Sequence, residues 1–251
     1  MHPSLEAVGL VPVLAVGIAV LRPSRDRALA AAAALALIFA AFVTELQQLA
    51  THTFLWAHLL QNVVLAEWSP ALLVLAVPER RLRAVRIPML PALGVWLGTY
   101  YVWHLPVIYD AALRRPHTLL HVEHLTYLIA GVAVWWPVIR GNQPSGVKAL
   151  YLFAAFVLAS PLGLLLALIP RAIYPFYVHA PRTWGPRPLV DQQIAGVTMA
   201  LEQAAVFFAV FTLYFQRFFR EEQREPELLR RSGNGAGRPS HHELQRQQLR
   251  P

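Results

Sequence analysis

The sequence predicts an all-α fold: a polytopic membrane protein, a bundle of seven transmembrane helices with the N-terminus outside and the C-terminus cytoplasmic. Three observations predict it. Of 251 residues, 56% are hydrophobic and 14% charged, where a soluble domain carries ~25% charged residues. Thirteen of the 36 charged residues fall from Arg217 on, which leaves a long body almost free of charge. Seven apolar runs divide that body, each near the ~20 residues that span a bilayer. A soluble core of this size would need a charged shell, so the apolar surface must be buried in lipid.

The runs follow in order. The first, 4–21, lies in "MHPSLEAVGLVPVLAVGIAVLRPS". It has no basic leader and no small-x-small cleavage pattern, so it reads as a retained helix. It is as short as run 88–105 and carries Glu6. Run 28–49 follows an arginine-rich link, and run 53–77 carries His58 and Glu67. Run 88–105 brings His104 one turn after Tyr100 and stops at Pro106. Run 118–139 opens on "HVEH" and closes on Trp135 and Trp136, which read as an interfacial belt. Run 148–169 carries no charged group beyond Lys148, and run 191–216 opens on "DQQIAGVTMALEQ". There is no internal repeat. Residues 1–218 form the transmembrane domain. Residues 219–251 are polar and low in aromatics, and read as a disordered cytoplasmic tail.

The net charge of +8 would suggest nucleic acid in a soluble protein. Here the basic residues sit between apolar runs and report topology instead, so no nucleic-acid partner is expected. With the N-terminus outside, the inner segments hold 17 of the 22 basic residues and the outer links hold Arg114, Arg115, Arg171, Arg182 and Arg187. That split is a positive-inside signal. There is no cysteine, which excludes disulfides, Cys-ligated zinc and thiolate copper. No phosphate loop, HExxH or serine nucleophile motif is present, and nothing pairs a nucleophile with a base, so no enzyme is expected.

This orientation sorts the histidines. Outside the tail pair His241 and His242, all eight lie in outer links or at outer ends of spans: His2, His52, His58, His104, His117, His121, His124 and His179. His117, His121 and His124 are spaced i, i+4, i+7, the spacing of one helix face. His58, Gln61 and Asn62 share a face, and Gln192, Gly196, Met199 and Gln203 form a stripe on the last run. Gly196 reads as a close-packing position. Glu67 and Glu202 lie deep in their runs. An ionisable residue within the bilayer costs ~2.5–3.5 kcal/mol at a helix centre and usually faces the bundle. Neutral imidazole suits copper, zinc and iron, and imidazoles with a methionine and no thiolate fit copper, with b-type haem a further reading. The expected metal ligands are His58, His104, His121, His124 and Met199. Gln61, Asn62, Asp110, Glu123, Asp191 and Gln192 are expected to support them. A lone histidine at a helix end is ordinarily an interfacial residue, the plainer reading of His2, His117 and His179.

The blocks "AHLLQNVVLAEWSPALLVLAVP", "WHLPVIYDAAL", "HVEHLTYLIAGVAVWWPVI", "YPFY" and "LVDQQIAGVTM", in this order over about residues 50 to 200, resemble the CtaG family. These are integral membrane assembly factors of caa3-type cytochrome c oxidase. The resemblance implies a multi-pass protein of the bacterial plasma membrane, cytochrome c oxidase subunits as partners, and a part in copper delivery. It carries the family's histidines onto His58, His104, His121 and His124, and its acidic residues onto Asp110, Glu123 and Asp191. The first block departs from the family's His-Met-x-x-His: it reads His58-Leu59-Leu60-Gln61-Asn62, and asparagine is a poor ligand for a soft metal. The family's tryptophan after the last-helix methionine is Ala200 here. A haem-binding redox carrier and a metal-free scaffold for oxidase subunits stand as alternatives.

Overall fold

The computed structural model describes residues 4, 6–78 and 85–235. His2, Arg80, Arg81, Arg83, His241 and His242 lie outside the described residues. The described chain is helical, with no strand. A π-helical turn Glu6–Leu10 leads into α1 (Val11–Leu21), then α2 (Arg25–Val43), α3 (Glu45–His52) and α4 (Leu55–Val63). A second π-turn, Val64–Trp68, joins α4 to α5 (Ser69–Ala76). Then come α6 (Met89–Trp103), α7 (Pro106–Arg114), α8 (Leu119–Ile139), α9 (Ser145–Leu168), α10 (Pro175–Val178) and α11 (Pro188–Gly235).

Every expected run is helical, but five helices among the described residues are long and apolar enough to cross a membrane. They are α2, the α4–α5 unit Leu55–Ala76, α8, α9 and the stretch Pro188–Arg224 of α11. The first run gives the shorter helix Val8–Leu21. The fourth gives the 15 residues of α6, a rise of about 22 Å against a hydrocarbon core of about 30 Å. Pro88 and Pro106 set its ends, because neither ring fits inside a continuing helix. Exposed Leu150, Leu168, Leu201 and Phe208 on α9 and α11 present the apolar surface that lipid covers.

The second run does not continue to residue 49. Thr44 is extended, and its hydroxyl accepts from Leu46 N–H, so α3 starts as a separate helix. At the other limit, α11 continues through Gly235, past the expected domain end at 218. From 236 on, the expected tail lies outside the described residues.

The order of elements explains where the polar groups collect. The α2–α4, α6–α8 and α9–α11 connections all turn at one end of the bundle, and each contains a short helix: α3, α7 or α10. The opposite end is closed differently. Arg140 donates to the carbonyls of Val74, Leu75 and Val77, which caps the end of α5.

Between the ends the helices pack closely. A Cβ on Gly131 would lie 2.5 Å from the Ala66 carbonyl oxygen and from Pro70 Cγ, so only glycine lets α8 approach the π-turn. Gly196 meets α9 as expected: a Cβ there would lie 2.5 Å from Ala167 N. Trp135 and Trp136 are core residues, not a lipid-facing belt. Trp135 is stacked on Phe207, and Trp136 donates to the Val85 carbonyl. Ring packing holds Trp135 and one acceptor holds Trp136, rather than headgroups.

Candidate metal centre

The supports come first, because they fix where the imidazoles sit. Asp191, wholly buried on α11, accepts from the N–H groups of Leu55 (2.9 Å) and Trp56 (3.1 Å), the open first turn of α4. Arg182 donates to the same carboxylate at 3.0 Å and also to the Tyr177 carbonyl. Asp110 on α7 accepts from Phe176 N–H at 3.1 Å and so anchors α10. Burial pushes its carboxyl above the ordinary aspartate value, against the opposing pull of the Phe176 N–H and the Arg114 guanidinium. Gln192 accepts from Ile173 N–H and donates to the Arg171 carbonyl. Gln61 donates to the Ala41 carbonyl and to Gln47, both at 2.7 Å. These four expected supports bind backbone or scaffold groups, and none touches an imidazole among the hydrogen bonds described.

Asn62 and Glu123 do face a histidine. Asn62 Nδ2 donates to Glu123 Oε1 at 2.9 Å, and His58 Nε2 lies 3.6 Å from the same oxygen. All three residues are buried. The sequence leaves Glu123 without a direction. The structure turns it from α8 to α4.

The partners of the rings assign their tautomers. His104 Nδ1 lies 2.7 Å from the Tyr100 carbonyl, which can only accept, so Nδ1 carries the proton. His58 Nδ1 lies 3.0 Å from the Tyr177 hydroxyl, whose own proton goes to the Ala50 carbonyl, so His58 Nδ1 also donates. His121 and His124 both turn Nδ1 to Glu6 Oε1, at 2.5 and 2.7 Å. The Nε2 atoms of His58, His104 and His124 are then bare acceptors, buried with no hydrogen-bond partner. A ring held by one nitrogen with the other left bare is the usual setting of a histidine ligand.

Glu6, His121 and His124 bring their ligand atoms within 4.8 Å of one another. His121 is partly exposed and the other two are buried. Behind them the His124 and His58 rings meet edge-on at 6.0 Å between centroids. Tyr109 lies 5.0 Å from the His58 ring and 6.0 Å from the His104 ring. His58, His104 and His124 therefore gather around one core, but not within one coordination sphere. Met199 is buried apart from the Glu6 group, on a small cavity that His104 also lines. His117 leaves the expected face: α8 starts at Leu119, after the turn of 116–118, and His117 is exposed. His52 and His179 are exposed too.

Sequence reasoning missed Glu6 as the partner of two histidines. Its one signal was an acid in an otherwise apolar first run. Tyr177 and Tyr109 stand in the blocks "YPFY" and "WHLPVIYDAAL", but no pattern in the chain assigns their partners, which depend on how α7 and α10 fold back over α4.

A family model described as the cytochrome c oxidase caa3 assembly factor (Caa3_CtaG) matches residues 11–221. Glu6 precedes that stretch. Searches of curated proteins and of solved structures found no match.

Proposed function

Because the chain belongs to the caa3-type cytochrome c oxidase assembly factor family, we propose that it holds copper for the oxidase at the end of the bundle where Glu6, His121 and His124 converge. One observation carries this reading: the Glu6 carboxylate, from the π-helical turn, and imidazole nitrogens of His121 and His124, both on α8, lie within 4.8 Å of one another. Two imidazoles and a carboxylate suit a borderline divalent ion, Cu(II) among them. Copper there takes the place of the Nδ1 protons that His121 and His124 give to Glu6, so binding releases or relocates protons. The part-exposed His121 faces the entry, and His124 leads inward to His58 and Glu123. His58 and His104, each with a bare Nε2, are the next imidazoles an ion meets.

The same reading takes the seven apolar helices as seven spans, the N-terminus and the histidine end outside, the C-terminus in the cytoplasm, and the plasma membrane as location. The basic-residue split supports that orientation. An oxidase subunit is the partner.

The test is metal analysis of copper-loaded wild type against His121→Ala and His124→Ala, with cellular oxidase activity measured on the same variants. Both variants should lose bound copper and oxidase activity together. If wild type binds no copper and both variants keep normal oxidase activity, the protein serves as a metal-free scaffold.

A further inference from the structure

At the end of the bundle opposite the histidines, α9 and α11 gather cations without acids to balance them. The two helices run antiparallel: Gly163 lies against Gly196, and near the start of α9 Gly146 lies against Phe218. There the Ser145 hydroxyl donates to Glu221 at 2.7 Å. One turn along, the Lys148 ammonium stands 5.3 Å from the centre of the Tyr214 ring, and the Arg217 guanidinium stands 5.2 Å from the same centre. The Tyr214 hydroxyl donates to the Val138 carbonyl at 2.8 Å, so α8 fixes the ring between them.

Lys148 is only 9% exposed. A lysine so buried ordinarily has a carboxylate partner. No ion pair joins this one to an acid among the described residues, and Glu221 is engaged by Ser145. A ring face attracts a cation but does not neutralise it. α11 then extends the set. Arg217, Arg220 and Arg224 are exposed and spaced i, i+3, i+7, so they share one helix face. Glu222 stands two residues from Arg220 and from Arg224, off that face. One turn before Arg217, on the same side, Leu213 is exposed. An apolar face that turns basic within one turn has the order of an acyl chain and its phosphate.

We propose that this end of α9 and α11 is a binding site for one anionic phospholipid. Its phosphate lies against Lys148 and Arg217, its chains run along the apolar surface at Leu213, and Arg220 and Arg224 reach the headgroup. Headgroup charge decides the class. Phosphatidylcholine brings a cation of its own, which four cations repel, and phosphatidylglycerol brings none. A free phosphate would meet the same cations but gain nothing from Leu213. An acidic protein segment would meet the exposed arginines but not Lys148, buried in the first turn of an apolar span. The site is independent of what the histidine end holds.

The experiment titrates the delipidated full chain, in nonionic detergent, with phosphatidylglycerol or phosphatidylcholine and reads lipid bound per chain by native mass spectrometry. Wild type should hold one phosphatidylglycerol in preference to phosphatidylcholine. Lys148→Gln and Arg217→Gln should each weaken it ~5-fold and the double variant ~25-fold, the effect of one and of two basic residues at a lipid surface. Lys148→Arg keeps the charge and should keep the lipid. Arg171→Gln, exposed at the histidine end, should change nothing. Should Lys148→Gln lose its helical circular dichroism, Arg217→Gln and Lys148→Arg carry the test. Equal uptake of the two lipids, an Arg171→Gln loss equal to that of Arg217→Gln, or undiminished binding by Arg217→Gln overturns the site. Displacement by inorganic phosphate or by a polyglutamate peptide, beyond that by chloride at equal ionic strength, overturns the lipid as its occupant.

Discussion

Replacing Asp191 with alanine should loosen the whole histidine end, although Asp191 touches no imidazole. Its carboxylate is fully buried and accepts three charge-assisted hydrogen bonds: Leu55 N–H at 2.9 Å, Trp56 N–H at 3.1 Å and Arg182 Nη2 at 3.0 Å. A hydrogen bond to a charged group contributes ~1.5–3 kcal/mol. Breaking one side of a buried ion pair costs ~3–5 kcal/mol, because the remaining charge is left uncompensated. These effects overlap, so the sum is not taken, and the expected loss for Asp191→Ala is ~3–5 kcal/mol. Asp191→Asn keeps one acceptor oxygen and should lose less, ~1–3 kcal/mol. Unfolding in mixed detergent micelles, followed by helical circular dichroism, gives the numbers. An Arg182→Ala variant and the double variant complete a cycle, which should show a coupling within the ~0.5–3 kcal/mol range of contacting residues. Asp191→Ala within ~0.5 kcal/mol of wild type, the range of an ordinary surface change, would refute the claim that this carboxylate pins α4.

Three further outcomes follow from the same contacts. Glu6→Gln replaces the carboxylate that both imidazoles share, so copper affinity, measured by chelator competition, should fall ~10–100-fold; a change under twofold would remove Glu6 from the site. Gly131→Ala places a Cβ 2.5 Å from the Ala66 carbonyl and Pro70, and thermal denaturation should report a loss of ~1–3 kcal/mol. Asp110 gives a pH dependence. Burial raises its carboxyl in the folded state, so the folded chain holds that proton more tightly than the unfolded chain. The stability so gained is full below the unfolded value of ~3.9 and is lost as pH rises through the folded value. Asp110→Asn does not titrate, so its stability relative to wild type should rise across that window; a pH-independent difference contradicts the sign.

The helical architecture was legible because composition and run length are direct measures of what lipid requires. Boundaries were less so. Thr44 cuts the second apolar run in a place that hydropathy averages over, whereas the prolines at 88 and 106 mark the limits of the fourth run in the chain itself. The identity of the polar residues was also legible: imidazoles at one end of the bundle stand out against an apolar body. Their pairings were not. Helix spacing puts Gln61 and Asn62 beside His58, but only the packing of α2 and α8 decides that Gln61 turns to Ala41 and Asn62 to Glu123. Asp110, Asp191 and Gln192 look like supports for a metal, and their partners instead are the backbone N–H groups left open by short helices and loops, a demand that no pattern in the chain announces. His117 shows the limit of periodicity, since the i, i+4, i+7 spacing holds only where the helix already exists.

Anomalous scattering at the copper edge, from crystals of copper-loaded protein, would locate the ion itself. The account predicts a peak among Glu6, His121 and His124, bonded to at least two of the three. Copper found only at exposed His52, His117 or His179, or no peak at saturating copper, would contradict it.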